Sequence, residues 1–67
     1  MNIKAVFKKY PKSEPNYNGI NYLTIVASGD NFDYSITYFN NDGEFEPQYG
    51  KVVAFVDADP TFILNSL

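Results

Sequence analysis

Five carboxylates, Asp30, Asp33, Asp42, Glu44 and Glu46, fall in one stretch of the chain that holds no basic residue. Groups of this type can move protons, ligate hard cations or offer a negative surface to a basic partner. The chain has no His and no Cys, so proton transfer would rest on carboxylates, Lys or Tyr alone. A paired-carboxylate glycosidase also needs a deep cleft. A chain of 67 residues buries only about 60% of the surface it exposes unfolded, which leaves too thin a core for one. The four glycines, at 19, 29, 43 and 50, stand singly in turn contexts, so no phosphate-cradling loop is present. The expectation is a protein that is not an enzyme. Asp57 and Asp59, and Asp30 and Asp33, are spaced to share a cation. They supply too few oxygen ligands for calcium, and no EF-hand spacing occurs. They read as turn formers and a helix N-cap, and neither metal nor cofactor is expected.

The remaining use of the acids is electrostatic. The net charge of −3 conceals a division: residues 1–12 hold four lysines and no acid, +4, and residues 13–67 hold Lys51 against all eight acids, −7. Acids at hairpin tips, gathered at one end of a small sheet, would present to a basic groove the potential that a nucleic acid presents. Tyr38, Phe45 and Tyr49 lie close by in sequence as aromatic anchors. The candidate partner-binding set is therefore Asp30, Asp33, Tyr38, Asp42, Glu44, Phe45, Glu46 and Tyr49, with a basic nucleic-acid-handling protein as partner. The plain alternative is that these acids only solvate turns.

The elements that must position this set are mostly strands. Hydrophobic residues make up 45% of the chain, a globular proportion. Ile3 to Tyr10 alternates and stops at Pro11; residues 11–19 are a loop. Ile20 to Ala27 is apolar on both faces, as a central strand would be. Phe32 to Phe39 places Phe32, Tyr34, Ile36 and Tyr38 on one face and Asp33, Ser35 and Thr37 on the other. Asp42-Gly43 predicts a type I′ hairpin, with Glu44 to Glu46 pairing back briefly before Pro47. Lys51 to Asp57 is the last strand. Asp59 and Pro60 open a short C-terminal helix whose Phe62, Ile63, Leu64 and Leu67 would lie on the sheet as a lid. The fold class is mainly β, α+β by strict count: one domain over 1–67, a four- to five-stranded antiparallel sheet or small barrel with a short C-terminal helix.

The stretch from Asn18-Gly19-Ile20-Asn21-Tyr22 to Tyr49-Gly50-Lys51-Val52-Val53 loosely resembles the OB-fold single-stranded DNA-binding proteins. That resemblance implies Tyr22, Tyr34 and Tyr38 as base-stacking platforms. Core packing of these tyrosines is the competing reading, and with no Arg and four of five Lys in the first twelve residues, direct nucleic-acid binding ranks second. The brief, acidic, Cys-free chain with its Asp30–Glu46 acid run resembles in general character the small phage-encoded inhibitors of host defence nucleases, the anti-CRISPR type. It implies a stoichiometric inhibitor.

No apolar run reaches membrane-spanning length, no signal-peptide core follows Met1, and Cys is absent. The expectation is a cytoplasmic protein with no membrane partner. Lys8, Lys9 and Lys12 on a terminal strand would guard its edge. Were that edge instead to pair across a two-fold axis, the protein would be a homodimer.

Overall fold

A computed structural model describes residues 7–57. Four strands form one open antiparallel sheet: β1 (Phe7–Lys9), β2 (Ile20–Ser28), β3 (Asn31–Phe39) and β4 (Lys51–Val56), in the order β1-β4-β2-β3. The strands match the hydrophobic alternation closely, and the barrel does not form: β1 and β3 remain at opposite edges. Residues 3–6 of the expected first strand and the whole expected C-terminal helix lie outside the described residues.

Two turn geometries differ in a way the residues explain. Gly29 takes φ 58 in the two-residue loop between β2 and β3, with no positive φ at Asp30, the pattern of a type II′ turn. The expected type I′ turn at Asp42-Gly43 is not formed. Only Gly43 has positive φ, at 79, and its N–H donates to the Asn40 carbonyl at 3.1 Å. The loop is a type I turn closed by a glycine bulge, which needs one left-handed residue instead of two. The brief return pairing does occur: Phe45 bridges Phe39, and the Glu46 N–H donates to the Tyr38 carbonyl at 2.9 Å.

The main core lies on one face of the sheet; Ala54 and Val56, also buried, lie on the other, in line with Ile25 and Phe7. Directly opposed strand residues share a face, so Tyr22, Thr24 and Val26 of β2 join Thr37 and Phe39 of β3 and Val52 and Phe55 of β4; all are buried. Tyr10 and Phe45, from the two long loops, cover this face. The rings of Tyr10 and Phe45 meet edge-on with centroids 5.0 Å apart, and Phe45 lies 4.8 Å from Phe39. Tyr22 and Phe55 complete the aromatic cluster. Such edge-on pairs contribute about 0.5–1.5 kcal/mol each beyond the area they bury. The hydroxyl of Tyr22 donates to the Tyr17 carbonyl at 2.7 Å and accepts from the Tyr17 N–H at 3.0 Å, which ties the loop 10–19 to the core.

A bulge explains the continuous apolar run of β4. Ile25 opposes Ala54 but Val26 opposes Val52, which leaves Val53 as the extra residue. Phe55 and Val52 thereby reach the same face although three positions apart. Without the shift one of them would leave the core.

The buried polar pair is self-satisfied. Thr24 and Thr37 hydroxyls are 2.8 Å apart, and the Thr24 hydroxyl also lies 3.1 Å from the Ser35 carbonyl. One assignment satisfies both side chains: Thr37 donates to Thr24, and Thr24 donates to the carbonyl. Thr24→Val then strands the Thr37 hydroxyl and costs about 1–3 kcal/mol, whereas Thr37→Val costs less and the double replacement recovers much of the loss. Urea unfolding of the three variants checks the ordering.

Candidate functional site

The β3–β4 connection builds the acidic surface around one side chain, Asn40. Its carboxamide oxygen accepts the N–H groups of Asp42 at 2.9 Å and Glu44 at 3.0 Å, and its Nδ2 donates to Glu46 Oε2 at 3.0 Å. The Asn40 N–H also donates to the Glu44 carbonyl at 2.8 Å. Asn suits this place because its side chain can mimic a backbone turn and still donate. Asp42, Glu44 and Glu46 are exposed, and the half-buried Phe45 between the two glutamates fastens the loop to the core. Among the described residues the one ion pair is Lys8 with Asp57, at 3.2 Å. The three loop carboxylates therefore have no lysine partner there.

The structure does not gather all five acids. Asp30 sits in the β2–β3 turn, at the far end of β3 from Asn40. A nine-residue strand at about 3.3 Å per residue separates the two ends by roughly 30 Å. Asp33 lies toward the Asp30 end, on the core face, and accepts a hydrogen bond from the Tyr49 hydroxyl at 3.3 Å. Phe45 packs inward and is not a free anchor. Tyr38 is partly exposed on the opposite face, and Tyr49 is exposed. The compact group is thus Asp42, Glu44 and Glu46, organised by Asn40, a residue to which the sequence analysis assigns no role. An Asn two positions before Asp-Gly was the available signal.

Partial desolvation and the Asp33 carboxylate beside it hold the Tyr49 hydroxyl above its ordinary titration range. The neutral donor is the form favoured by the fold. Its contribution is complete below the unfolded phenol value and is lost as pH rises through the higher folded one, above about pH 10. A spectroscopic titration of phenolate formation should show a late-ionising tyrosine that disappears in Tyr49→Phe and moves part of the way back toward the ordinary range in Asp33→Asn, because the desolvation remains.

Asp57 has a structural use. Its side chain is almost enclosed and accepts from Lys8 Nζ, from Asn16 Nδ2 at 2.6 Å and from the Asn16 N–H at 3.3 Å. It pins the first loop to the ends of β1 and β4. Asp59, its expected companion, lies outside the described residues.

The second face of the sheet holds what the strand pattern left unassigned. Phe32, Tyr34 and Ile36 are 70%, 75% and 55% exposed, and Tyr38 follows them along β3. Tyr34 is therefore not a core residue, whereas Tyr22 is fully buried. The reason is the choice of covered face: Phe39 and the inward rings of Tyr10 and Phe45 take the core to the side where β3 carries Ser35 and Thr37. Lys9 and Lys51 occupy strand positions on the exposed side; Lys51, Ala27 and Phe32 form one row across three strands. No described strand position on that side is a carboxylate.

No described helix is long and apolar enough to cross a membrane. Comparison of the chain with protein families, with curated proteins and with solved structures finds no match to any of them.

Proposed function

We propose that the protein is a non-enzymatic, cytoplasmic binding protein that inhibits a nucleic-acid-handling enzyme by setting its acidic loop into that enzyme's basic site. The observation that supports this reading is the loop 40–46: three exposed carboxylates on a rigid turn, unpaired with any described lysine and anchored by Asn40 and Phe45. Fixed negative charge on a pre-ordered scaffold attracts a basic groove quickly and in a salt-dependent way. A CRISPR effector or another defence nuclease is a host enzyme with such a groove, in keeping with the general resemblance to phage-encoded inhibitors. Capture from a bacterial lysate at two salt concentrations tests the proposal. A basic nucleic-acid enzyme held at low salt and released at high salt is expected. Capture of proteins without such a site, unaffected by salt, would refute it.

A second reading, single-stranded DNA binding, is favoured by a different observation, the exposed Phe32–Tyr38 row on the side that carries Lys9 and Lys51. Aromatic faces stack bases at about 1–3 kcal/mol each, and lysines meet phosphates. It requires oligonucleotide affinity that falls with salt and with Tyr34→Ala.

A further inference from the structure

Among the described residues, the outer edge of β3 is unguarded over part of its length. Ser28 and Asn31 flank the two-residue turn, so the alternation of an antiparallel ladder aims the N–H and C=O groups of Phe32, Tyr34, Ile36 and Tyr38 away from β2. The Tyr38 carbonyl is taken by the Glu46 N–H, and the 44–46 return occupies the space beside it. Along residues 31–37 no described strand lies on that side. The stretch has no Lys, no Pro and no bulge, and Asp33 is its one charge. The opposite edge strand, β1, carries Lys8 and Lys9 within its described residues Phe7–Lys9. Sheet edges without such guards pair with other strands.

We infer that two copies of the chain join β3 to β3 across a two-fold axis at Tyr34, extending the sheet through both. The open stretch 31–37 is centred on Tyr34, so it is its own complement. In that register Tyr34 opposes Tyr34 of the second copy, Phe32 opposes Ile36, and Asp33 opposes Ser35 instead of another Asp. Every outward backbone group of Phe32, Tyr34 and Ile36 gains a partner. Aromatic and β-branched side chains stand opposite each other on one face, a favourable cross-strand pairing. The neighbouring register, centred on Ser35, would set Phe32 against Tyr38, whose carbonyl is occupied. A slip of one residue would turn the apolar faces of the two sheets to opposite sides.

The area suits a weak, reversible dimer. At their exposures Phe32, Tyr34, Ile36 and Tyr38 leave roughly 450 Å² of side chain per copy. Edge-to-edge pairing covers the two strand backbones and only the flanks of these side chains, whose outer faces stay in solvent, so the contact falls below the roughly 1,200–2,000 Å² of a stable interface. The contact is isologous and closes on itself, and the lysine-bearing β1 edges stop further growth. The same register brings the turn at Asp30 of one copy up to the 44–46 return of the other, acid toward acid. Added salt therefore strengthens this dimer, the reverse of its effect on docking by the acidic loop.

The test uses the absence of native cysteine. Tyr34→Cys and Ile36→Cys replace exposed residues on the same side of the same strand. Opposed residues at the axis have Cα atoms about 5.5 Å apart, within disulfide reach. Position 36 is displaced from its own copy by roughly 13 Å. Mild oxidation should link Tyr34→Cys into a dimer and leave Ile36→Cys monomeric. Sedimentation should show the wild-type chain dimerising with concentration and more readily in salt, and Tyr34→Lys, which sets two cations face to face, remaining monomeric. Equal cross-linking at both positions, cross-linking at 36 alone, or a wild-type chain monomeric at all concentrations would overturn the dimer. Binding of oligonucleotide by a monomer through Tyr34 would do the same. If Tyr34→Lys does not fold, the two uncharged cysteine variants still decide.

Discussion

Gly50→Ala is expected to remove a large part of the stability of the domain. Gly50 leads into β4 with φ 62, where an L side chain is strained, and a β-carbon there would overlap the Ala27 carbonyl oxygen and press on Val26. Backbone cannot move aside as a flexible side chain can, because Ala27 is fixed by its pairing to both Phe32 and Lys51. Left-handed strain alone costs about 1 kcal/mol, and the overlap should bring the total to about 3 kcal/mol or more. A domain of this size has only about 3–10 kcal/mol in all. Gly43→Ala provides the contrast. Its φ is 79 but nothing lies within 4 Å of the added carbon, so the strain stands alone at about 1 kcal/mol. Denaturant midpoints of the two variants should differ accordingly; equal losses would show that the approach to Ala27 has no energetic weight.

Reversal of the loop charges should abolish partner binding and leave the fold intact. Asp42→Lys, Glu44→Lys and Glu46→Lys together add two charges each, turning −3 into +3. All three side chains are exposed, and the single hydrogen bond lost, from Asn40 to Glu46, is on the surface. The stability change should stay within about 1 kcal/mol. Like charges brought together at an interface cost several kcal/mol, so affinity should fall by a factor of at least about 100. Asp30→Lys, roughly 30 Å away along β3, should change affinity little. The pair of variants separates a local docking surface from a general effect of net charge, since the latter would weaken binding in both.

The strands were legible because alternation and turn residues act locally. Ile20, Asn31 and Lys51 begin their strands within a residue of where turn chemistry and pattern put them. The brief return at Glu44–Glu46 followed from Pro47 in the same way. What alternation does not encode is which side of a two-faced strand is covered. On β3 the more apolar side, Phe32-Tyr34-Ile36-Tyr38, is the exposed one. The decision is made far away in sequence, by Tyr10 and Phe45 entering from separate loops and by the bulge at Val53 that brings Val52 and Phe55 to one side. The grouping of acids failed for a related reason. A hairpin puts its turn and its open end at opposite ends of the sheet, so Asp30 and Asp42 are separated by the strand that joins them. Asp42, Glu44 and Glu46 stay together because Asn40 binds all three segments within a few residues of itself.

Occupation of a nucleic-acid site is most directly tested by competition. A captured partner is mixed with its own labelled nucleic acid and increasing amounts of the protein, and the bound fractions are followed by fluorescence anisotropy. Mutual displacement is expected: the protein releases the nucleic acid stoichiometrically, excess nucleic acid releases the protein, and the triple lysine variant does neither. A ternary complex holding protein and nucleic acid together, or release undiminished by the charge reversal, would contradict docking of the acidic loop in that site.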